Sequence, residues 1–420
     1  MASGALTWGQ TDLITWLGKI GGKLSELVMI RDLDPGHGAD TRSAATSALR
    51  VLEARHGVLR TRFALGSGLQ IVDDTAGLDI RQAPVPAVPA DNLLRIHSLY
   101  LTGRATLVPE TDPPLCLLYE RPDRRWGCVL ITSHLTVDGH GAALLAEEYR
   151  ALIRGRPASA LPPAVDPLTV AELESAPRRL AAGTRNIAHM RGLLSTVEPD
   201  QVIRTPTAHA TETRTRSAAL KLHVDRLARV LGLPKGGVLT GLIALLVSRE
   251  YGFTTVLVRT LFRVPPPVAG ASYVATNTLA TVTPIRVDPD STMERFMREA
   301  WASCVSSYRT CAYDPRAFER MQREVARSRD GDTVNGLVHL NYHVIPDVFD
   351  WGDGNRTTSA REDRDAYRTV FDIKESARAM TLVVNGVTWP QAGDTAGQVH
   401  ALEELAASSG DPRTRVGAVL

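Results

Sequence analysis

Residues 133–139, SHLTVDG, place His134, Asp138 and Gly139 directly after an apolar run that predicts a β-strand. A histidine at a strand end can be held by packing while its ring faces a cleft. Imidazole has a pKa of about 6.5, so its neutral form is available as a base near neutral pH. An amine or hydroxyl that attacks a thioester carbonyl must lose a proton, and a positioned histidine accelerates such a step roughly 10²- to 10⁴-fold. We therefore predict that His134 is a catalytic base and that Asp138 holds its loop, with Gly139 as a conformationally permissive neighbour.

This spacing is a weak signal when it stands alone. Three fixed residues recur by chance in roughly a few per cent of chains of this length. The alternative is a loop histidine beside an Asp-Gly turn with no chemical role. The rest of the chain must decide between the two interpretations.

The elements around the loop alternate between strands and helices. Strands are predicted at 69–72, 115–119, 128–132, 217–224, 278–287, 337–345 and 380–384. Helices are predicted at 10–27, at 41–57, from Gly139 to Gly155, after residue 224, through VLTGLIALLVS and at 292–308. A Pro- and Ala-rich stretch separates the halves, so we predict an α/β protein with domains at 1–165 and 201–420 and a linker at 166–200.

Composition narrows the classes of function. A chain of 420 residues suits two domains of about 200 residues each. A formal charge of +2 and 5% aromatic residues argue against a nucleic-acid partner. The four cysteines have no CxxC spacing, so neither a metal nor a disulfide is expected. The first residues lack the pattern of a secretory signal and no apolar run is long enough to span a bilayer, so we expect a cytoplasmic protein without a membrane partner. We also expect a monomer.

Several segments, in the same order along the chain, resemble the signatures of condensation domains from nonribosomal peptide synthetases. Residues 133–139 resemble their active-site motif HHxxxDG, and residues 55–63, RHGVLRTRF, resemble the upstream RHExLRTxF motif. The further matches are LTWGQTDLITWL near the start, YRALIRGRPASALPP, VRTLFRV ending at Arg263, TNTLATVTPIRV with Asn277 and Thr278, and YDPRAFERM. These matches cover nearly the whole chain, which makes the resemblance more specific than any single motif.

The resemblance implies two chloramphenicol-acetyltransferase-like halves arranged as a V-shaped pseudo-dimer, with a substrate tunnel between them. It implies that His134 is the catalytic residue, and that Asp138, Gly139 and Arg263 are structural, with Asp138 paired to Arg263. We expect the tunnel to be lined by Ser133, His140, Asn277 and Tyr342. Asn277 has an alternative interpretation, in which it satisfies backbone groups at a strand end.

Three positions depart from the family pattern. Ser133 stands where the first histidine of the motif is found, although the second is the catalytic one in the family. Gly57 replaces the usual glutamate, and His140 stands where tryptophan is common. His56, inside the upstream motif, is expected to serve packing rather than chemistry.

The function that follows is amide or ester formation between a carrier-protein-tethered acyl thioester and an amine or alcohol, in natural-product biosynthesis. The acyl group arrives on a phosphopantetheine arm, no cofactor is bound, and the acyl or peptidyl carrier protein is expected in trans. Arg-rich stretches at 121–125 and 316–329 are candidates for contact with an acidic carrier. One alternative is an acyl-CoA-dependent O- or N-acyltransferase of the same fold. Another is a catalytically silent recruitment domain, and this alternative rests on Ser133.

Overall fold

The computed structural model of the chain describes residues 1–20, 27–34, 37–74, 77–83, 107–195, 210–265, 268–329, 338–344, 357–361 and 369–420. In these residues it contains ten helices and fourteen strands. They group into two units, Met1–Ala181 with Arg263–Leu279, and Ala182–Phe262 with Ala280–Leu420. The predicted α/β class is confirmed.

The first unit carries the motif loop on two small sheets packed with helices. Its strands are β1 (Ala2–Ala5), β2 (Val28–Asp32), β3 (Thr61–Ala64), β4 (Leu69–Val72), β5 (Asp79–Gln82), β6 (Leu115–Glu120) and β7 (Trp126–Ser133). Its helices are α1 (Trp8–Ile20), α2 (Arg42–Arg55), α3 (Gly139–Ile153) and α4 (Pro167–Ser175), and α5 (Pro177–Ser195) begins in this unit and continues into the second. One sheet has the order β1-β4-β3 and the other β2-β7-β6-β5.

Strand β7 positions the motif because it is an inner strand. It pairs antiparallel with β2 on one side, Ser133 opposite Val28, and antiparallel with β6 on the other. Every residue from Gly127 to Ser133 is buried. A continuous apolar run of this kind is typical of a strand covered on both faces. His134 therefore directly follows the last residue of a rigid, buried strand.

The second unit is built on a seven-stranded sheet of order β10-β9-β11-β13-β14-β8-β12. Its strands are β8 (Ala210–Ser217), β9 (Thr255–Arg263), β10 (Thr278–Arg286), β11 (Val338–Val344), β12 (Thr357–Arg361), β13 (Thr369–Glu375) and β14 (Met380–Val387). Its remaining helices are α6 (Ala218–Leu231), α7 (Lys235–Tyr251), α8 (Met293–Arg309), α9 (Pro315–Arg329) and α10 (Thr395–Ser408). The core includes nearly all of α7, for example Leu242, Ile243 and Leu246.

The predicted strand at 217–224 is wrong, because only Ser217 is in a strand and the rest of the segment is helix α6. Ser217 caps this helix, its hydroxyl accepting a hydrogen bond from the Leu220 N–H at 2.9 Å. Leu220, Val224 and Leu227 are buried at helical spacing. The cap and the continuing apolar stripe together favour the helix from its first turn.

The helices and units of the structure divide the chain differently from the predicted boundaries. Residues 167–175 and 177–195, within the predicted linker, are helices α4 and α5, and residues 196–200 lie outside the described part. Proline at the first helical position loses no hydrogen bond, so Pro167 and Pro177 begin helices here rather than interrupting them. Residues 263–279, which were assigned to the second half, group with the first unit.

None of the described helices is long and apolar enough to cross a membrane by itself, although the bent pair α6 and α7 meets the length and composition test jointly.

Candidate active site

The loop that follows β7 is closed by hydrogen bonds to its first residue. The Ser133 carbonyl accepts from the N–H groups of Thr136 at 3.0 Å and Val137 at 3.3 Å. The Ser133 hydroxyl accepts from the Leu135 N–H at 3.2 Å. Leu135 and Val137 are fully buried and anchor the loop in the core. Ser133 is itself buried, so it has a structural place inside the loop.

The backbone of His134 is held on both sides. Its N–H donates to the Leu27 carbonyl at 2.8 Å, which extends the β2–β7 pairing by one residue. Its carbonyl accepts a hydrogen bond from the Thr276 hydroxyl. Thr276 belongs to the 263–279 segment of the same unit and is buried. Two distant parts of the chain therefore fix where the histidine stands.

The imidazole of His134 is half-buried, and its Nδ1 is buried without a hydrogen-bond partner among the described residues. An unpaired buried polar atom costs about 1–3 kcal/mol. Such atoms are uncommon in native proteins and are often associated with ligand binding or catalysis. Among the described residues no group holds Nδ1 by a hydrogen bond, so this atom is not committed to a structural contact. The backbone position of His134 is thus fixed while Nδ1 stays available to a ligand, and both features are compatible with a general base.

Asp138 uses both carboxylate oxygens to hold structure. Oδ1 accepts from the Gly141 N–H at 2.8 Å and so caps the N-terminus of α3. Oδ2 accepts from the Asn277 N–H at 3.0 Å and from the Thr278 hydroxyl at 2.9 Å. Asp138 thus joins the end of the motif loop to Asn277 and Thr278, which belong to the same unit.

The predicted ion pair between Asp138 and Arg263 is wrong, since no hydrogen bond or ion pair joins them in the described part of the chain. The Asp138 oxygens already have partners that lie closer. Burial lowers the pKa of the Arg263 guanidinium, while the charge of Asp138 opposes that shift. Arg263 therefore acts on this region through its charge rather than through a contact.

The charge of Arg263 also acts on His140. His140 is exposed. Desolvation of the ring and, after it, the Arg263 guanidinium lower the pKa of His140, and the carboxylates of Asp138 and Glu147 oppose the shift.

The glycines of the loop have different roles from those predicted. Gly139 has no positive φ, and a Cβ at this position would meet nothing within 4 Å. The close approach occurs at Gly141, where a Cβ would lie 3.1 Å from the Ala275 carbonyl oxygen. The start of α3 therefore packs on the 263–279 segment through Gly141. Residues missed from the sequence are thus Gly141, Thr276 and Leu27, whose local patterns carry no signal.

Asn277 is committed within the first unit. Its side-chain N–H₂ group donates to the Val264 carbonyl at 2.6 Å, and the residue is buried. This geometry matches the alternative in which Asn277 satisfies backbone groups at a strand end.

Tyr342 belongs to the second unit, where its hydroxyl hydrogen-bonds the Glu375 carboxylate. Burial and this carboxylate raise the pKa of Tyr342. Glu375 also binds Lys221 at 2.7 Å, and Lys235 contacts Asp225 at 2.6 Å in the same cluster. The hydroxyl of Tyr342 is therefore part of an ion cluster rather than uncommitted.

The upstream motif ties α2 to α3. His56 Nε2 lies 2.9 Å from Glu148 Oε2, and Arg55 Nε donates to the same oxygen at 3.0 Å. Burial alone would raise the pKa of Glu148, but the hydrogen bond and charge of His56, together with Arg55, lower it to about 2. His56 is buried at a helix contact, as the packing interpretation requires. Glu148 lies in the apolar-periodic stretch of α3 and was missed.

The chain has the fold of condensation domains over its full length. It is similar to the condensation domain that mediates chain release from the enacyloxin polyketide synthase (15% identity, 98% of this chain and 82% of that chain, TM-score 0.68). It is also similar to the first condensation domain of the calcium-dependent antibiotic synthetase (17% identity, 99% of both chains, TM-score 0.65). A third match is the condensation domain of the Monacolin K polyketide synthase (12% identity, 99% of both chains, TM-score 0.68). No protein-family model and no curated protein sequence matches this chain.

Proposed function

We propose that this chain is a condensation-type acyltransferase that uses His134 as its base. The observation that carries the proposal is the contrast between two residues of one loop. Asp138 is committed to three structural hydrogen bonds, whereas the ring of the rigidly placed His134 makes none in the described part of the chain. The shared fold with condensation domains supports the same reaction class.

The proposed reaction joins a thioester-bound acyl group to an amine or alcohol acceptor. His134 accepts the acceptor's proton while the nitrogen or oxygen attacks the acyl carbon. The new C–N or C–O bond forms, the C–S bond breaks, and the proton passes to the departing thiolate. The donor is an acyl group on the phosphopantetheine arm of an acyl or peptidyl carrier protein, and the acceptor is a small molecule of natural-product biosynthesis.

The other motif residues have positioning roles in this proposal. Asp138 caps α3 from the end of the motif loop. Burial of the His140 ring and, after it, the positive charge of Arg263 lower the pKa of His140. Ser133 keeps the turn closed through its hydroxyl, so its replacement of a histidine is compatible with an active loop.

The test is transfer from a panel of acyl-loaded carrier proteins to candidate acceptors, followed by the intact mass of the carrier. Loss of the acyl mass and appearance of product with the wild-type protein is the expected result. His134→Ala should remain folded, with an unchanged thermal unfolding midpoint, and turn over at least about 100-fold more slowly.

Three outcomes would contradict the proposal. Equal turnover from free acyl-CoA would favour the coenzyme-A-dependent acyltransferase. Near-normal turnover in His134→Ala would refute the proposed base, and no transfer from any donor in the wild type would favour the recruitment domain.

A further inference from the structure

Helix α9 concentrates positive charge on one face. Its five arginines and two glutamates give it a formal charge of +3, whereas the whole chain carries +2. Phe318, Met321 and Val325 are buried on the inner face. Arg316, Arg320, Arg323 and Arg327 are all exposed. Their spacing of four, three and four residues puts them in one line about 16 Å long. We call these four residues the arginine stripe.

The arginine stripe is only slightly neutralised by its neighbours. Glu324, beside it, pairs with Arg191 of α5. Glu319 lies 4.0 Å from Arg323, which is a loose contact. The side chains of Arg316, Arg320 and Arg327 form no hydrogen bond or ion pair within the described residues.

The other Arg-rich stretch, at 121–125, is different. Arg124 pairs with Glu120 at 3.0 Å, and Arg125 lies 3.4 Å from Asp40. Arg121 donates to the Asp34 carbonyl and lies 3.7 Å from Asp123. Each of these arginines has an acceptor inside the fold, so the stretch requires no partner.

Like charges at helical spacing repel one another and disfavour the helix. Along most of this line no ion pair within the described residues offsets the repulsion. Arginine binds carboxylates through a planar fork of N–H donors. A single straight line of arginines fits carboxylates that are themselves arranged along one face of a helix. Binding of such a partner would offset the repulsion.

We infer that the arginine stripe of α9 is the docking surface for an acidic helix of the carrier protein. This inference rests on the proposed function for the identity of the partner. The stripe acts on association and not on chemistry, because it lies outside the His134 loop and on helix α9 of the other unit. Exposed interfacial charges mainly raise the association rate and make it sensitive to salt.

The experiment measures binding of fluorescein-labelled, phosphopantetheinylated but unloaded carrier proteins of the panel by fluorescence anisotropy. The test variant replaces all four stripe residues with glutamine (Arg316→Gln, Arg320→Gln, Arg323→Gln and Arg327→Gln). The matched control removes the same charge from four exposed, internally paired arginines (Arg124→Gln, Arg125→Gln, Arg295→Gln and Arg298→Gln).

At about 50 mM NaCl the stripe variant should bind the carrier at least about tenfold more weakly than the wild type, and the control within about twofold. Raising the salt to about 300 mM should remove most of the difference, because exposed charges are screened. His134→Ala should bind like the wild type, since it retains the stripe. Transfer from a small pantetheine thioester should be equal in the stripe variant and the wild type.

Equal weakening of carrier binding in both quadruple variants would overturn the inference. It would show that binding depends on the net charge of the protein and not on the arginine stripe. Unchanged binding in the stripe variant would also overturn it, as would a stripe that binds a DNA duplex while leaving carrier binding unaffected. Failure of the proposed function is a separate result, seen as absence of transfer from every donor while carrier binding still depends on the stripe.

Discussion

Next to His134 in the motif loop, Asp138 accepts three structural hydrogen bonds through its side chain, whereas Arg263 does not form its predicted ion pair. The carboxylate caps α3 and binds Asn277 and Thr278. Arg263 is half-buried without a partner in the described part of the chain. The stability of this region should therefore depend on Asp138 and hardly on Arg263.

We predict that Asp138→Ala lowers the free energy of unfolding by about 3 kcal/mol, because it leaves a helix end uncapped and buried donors unpaired. Arg263→Gln should change it by less than about 1 kcal/mol, since no ion pair is broken. Urea unfolding of both variants measures the difference. Equal losses would indicate that the two residues act as a pair after all.

At the scale of elements, the contact between α2 and α3 depends on a buried carboxylate. The pKa of Glu148 is depressed from 4.5 to about 2 by His56 and Arg55 despite its burial. A depressed carboxylate contributes stability above its unfolded pKa and loses that contribution as the pH falls through the folded value. The expected contribution is about 3 kcal/mol at neutral pH.

We predict that Glu148→Gln is destabilised at pH 7 and that its deficit against the wild type shrinks by about 2 kcal/mol between pH 7 and pH 3. Urea unfolding at a series of pH values checks this. A deficit that stays constant with pH would mean that the amide and the carboxylate differ only in packing.

A second prediction at this scale concerns the start of α3. Gly141→Val should destabilise by about 2 kcal/mol, because its Cβ would lie 3.1 Å from the Ala275 carbonyl oxygen, closer than ordinary van der Waals contact, and the two Cγ atoms add further bulk. Gly139→Ala is the matched control, and its thermal midpoint should stay within about 2 °C of the wild type because its Cβ meets open space. The reverse order of the two midpoints would contradict the packing described here.

At the scale of the whole molecule, the first unit is discontinuous in sequence. Residues 263–279 belong to it, although the residues before and after them belong to the second unit. Thr276, Asn277 and Thr278 of this segment contact the motif loop. The loop of His134 is therefore completed by residues about 140 positions away.

We predict that local destabilisation of the first unit by Glu148→Gln accelerates amide hydrogen exchange in 263–279 together with α3. Strand β11 and helix α7 of the second unit should keep their protection, because their hydrogen bonds lie in the other core. Exchange followed by mass spectrometry of peptides resolves the segments. Joint acceleration of 263–279 and β11 alone would place the segment with the second unit.

The sequence alone determined the features that depend on neighbours in the chain. An apolar run of strand length predicted β7, and the apolar periodicity after Gly139 predicted α3. The order of the motifs predicted the condensation-domain fold. Local patterns predicted the wrong element at 217–224, where Ser217 caps a helix instead of continuing a strand. They also did not predict the helices that begin at Pro167 and Pro177.

Only the tertiary structure decided which polar groups meet. The family resemblance implied that Asp138 pairs with Arg263, yet the Asp138 oxygens are satisfied by a helix N–H, the Asn277 N–H and the Thr278 hydroxyl. Thr276 reaches the His134 carbonyl across 142 positions, and Glu148 reaches His56 across 92. A chain offers many donors for every acceptor, and hydrogen bonds act only at short range. Their pairing is therefore set by how whole elements pack, which no local stretch of sequence records.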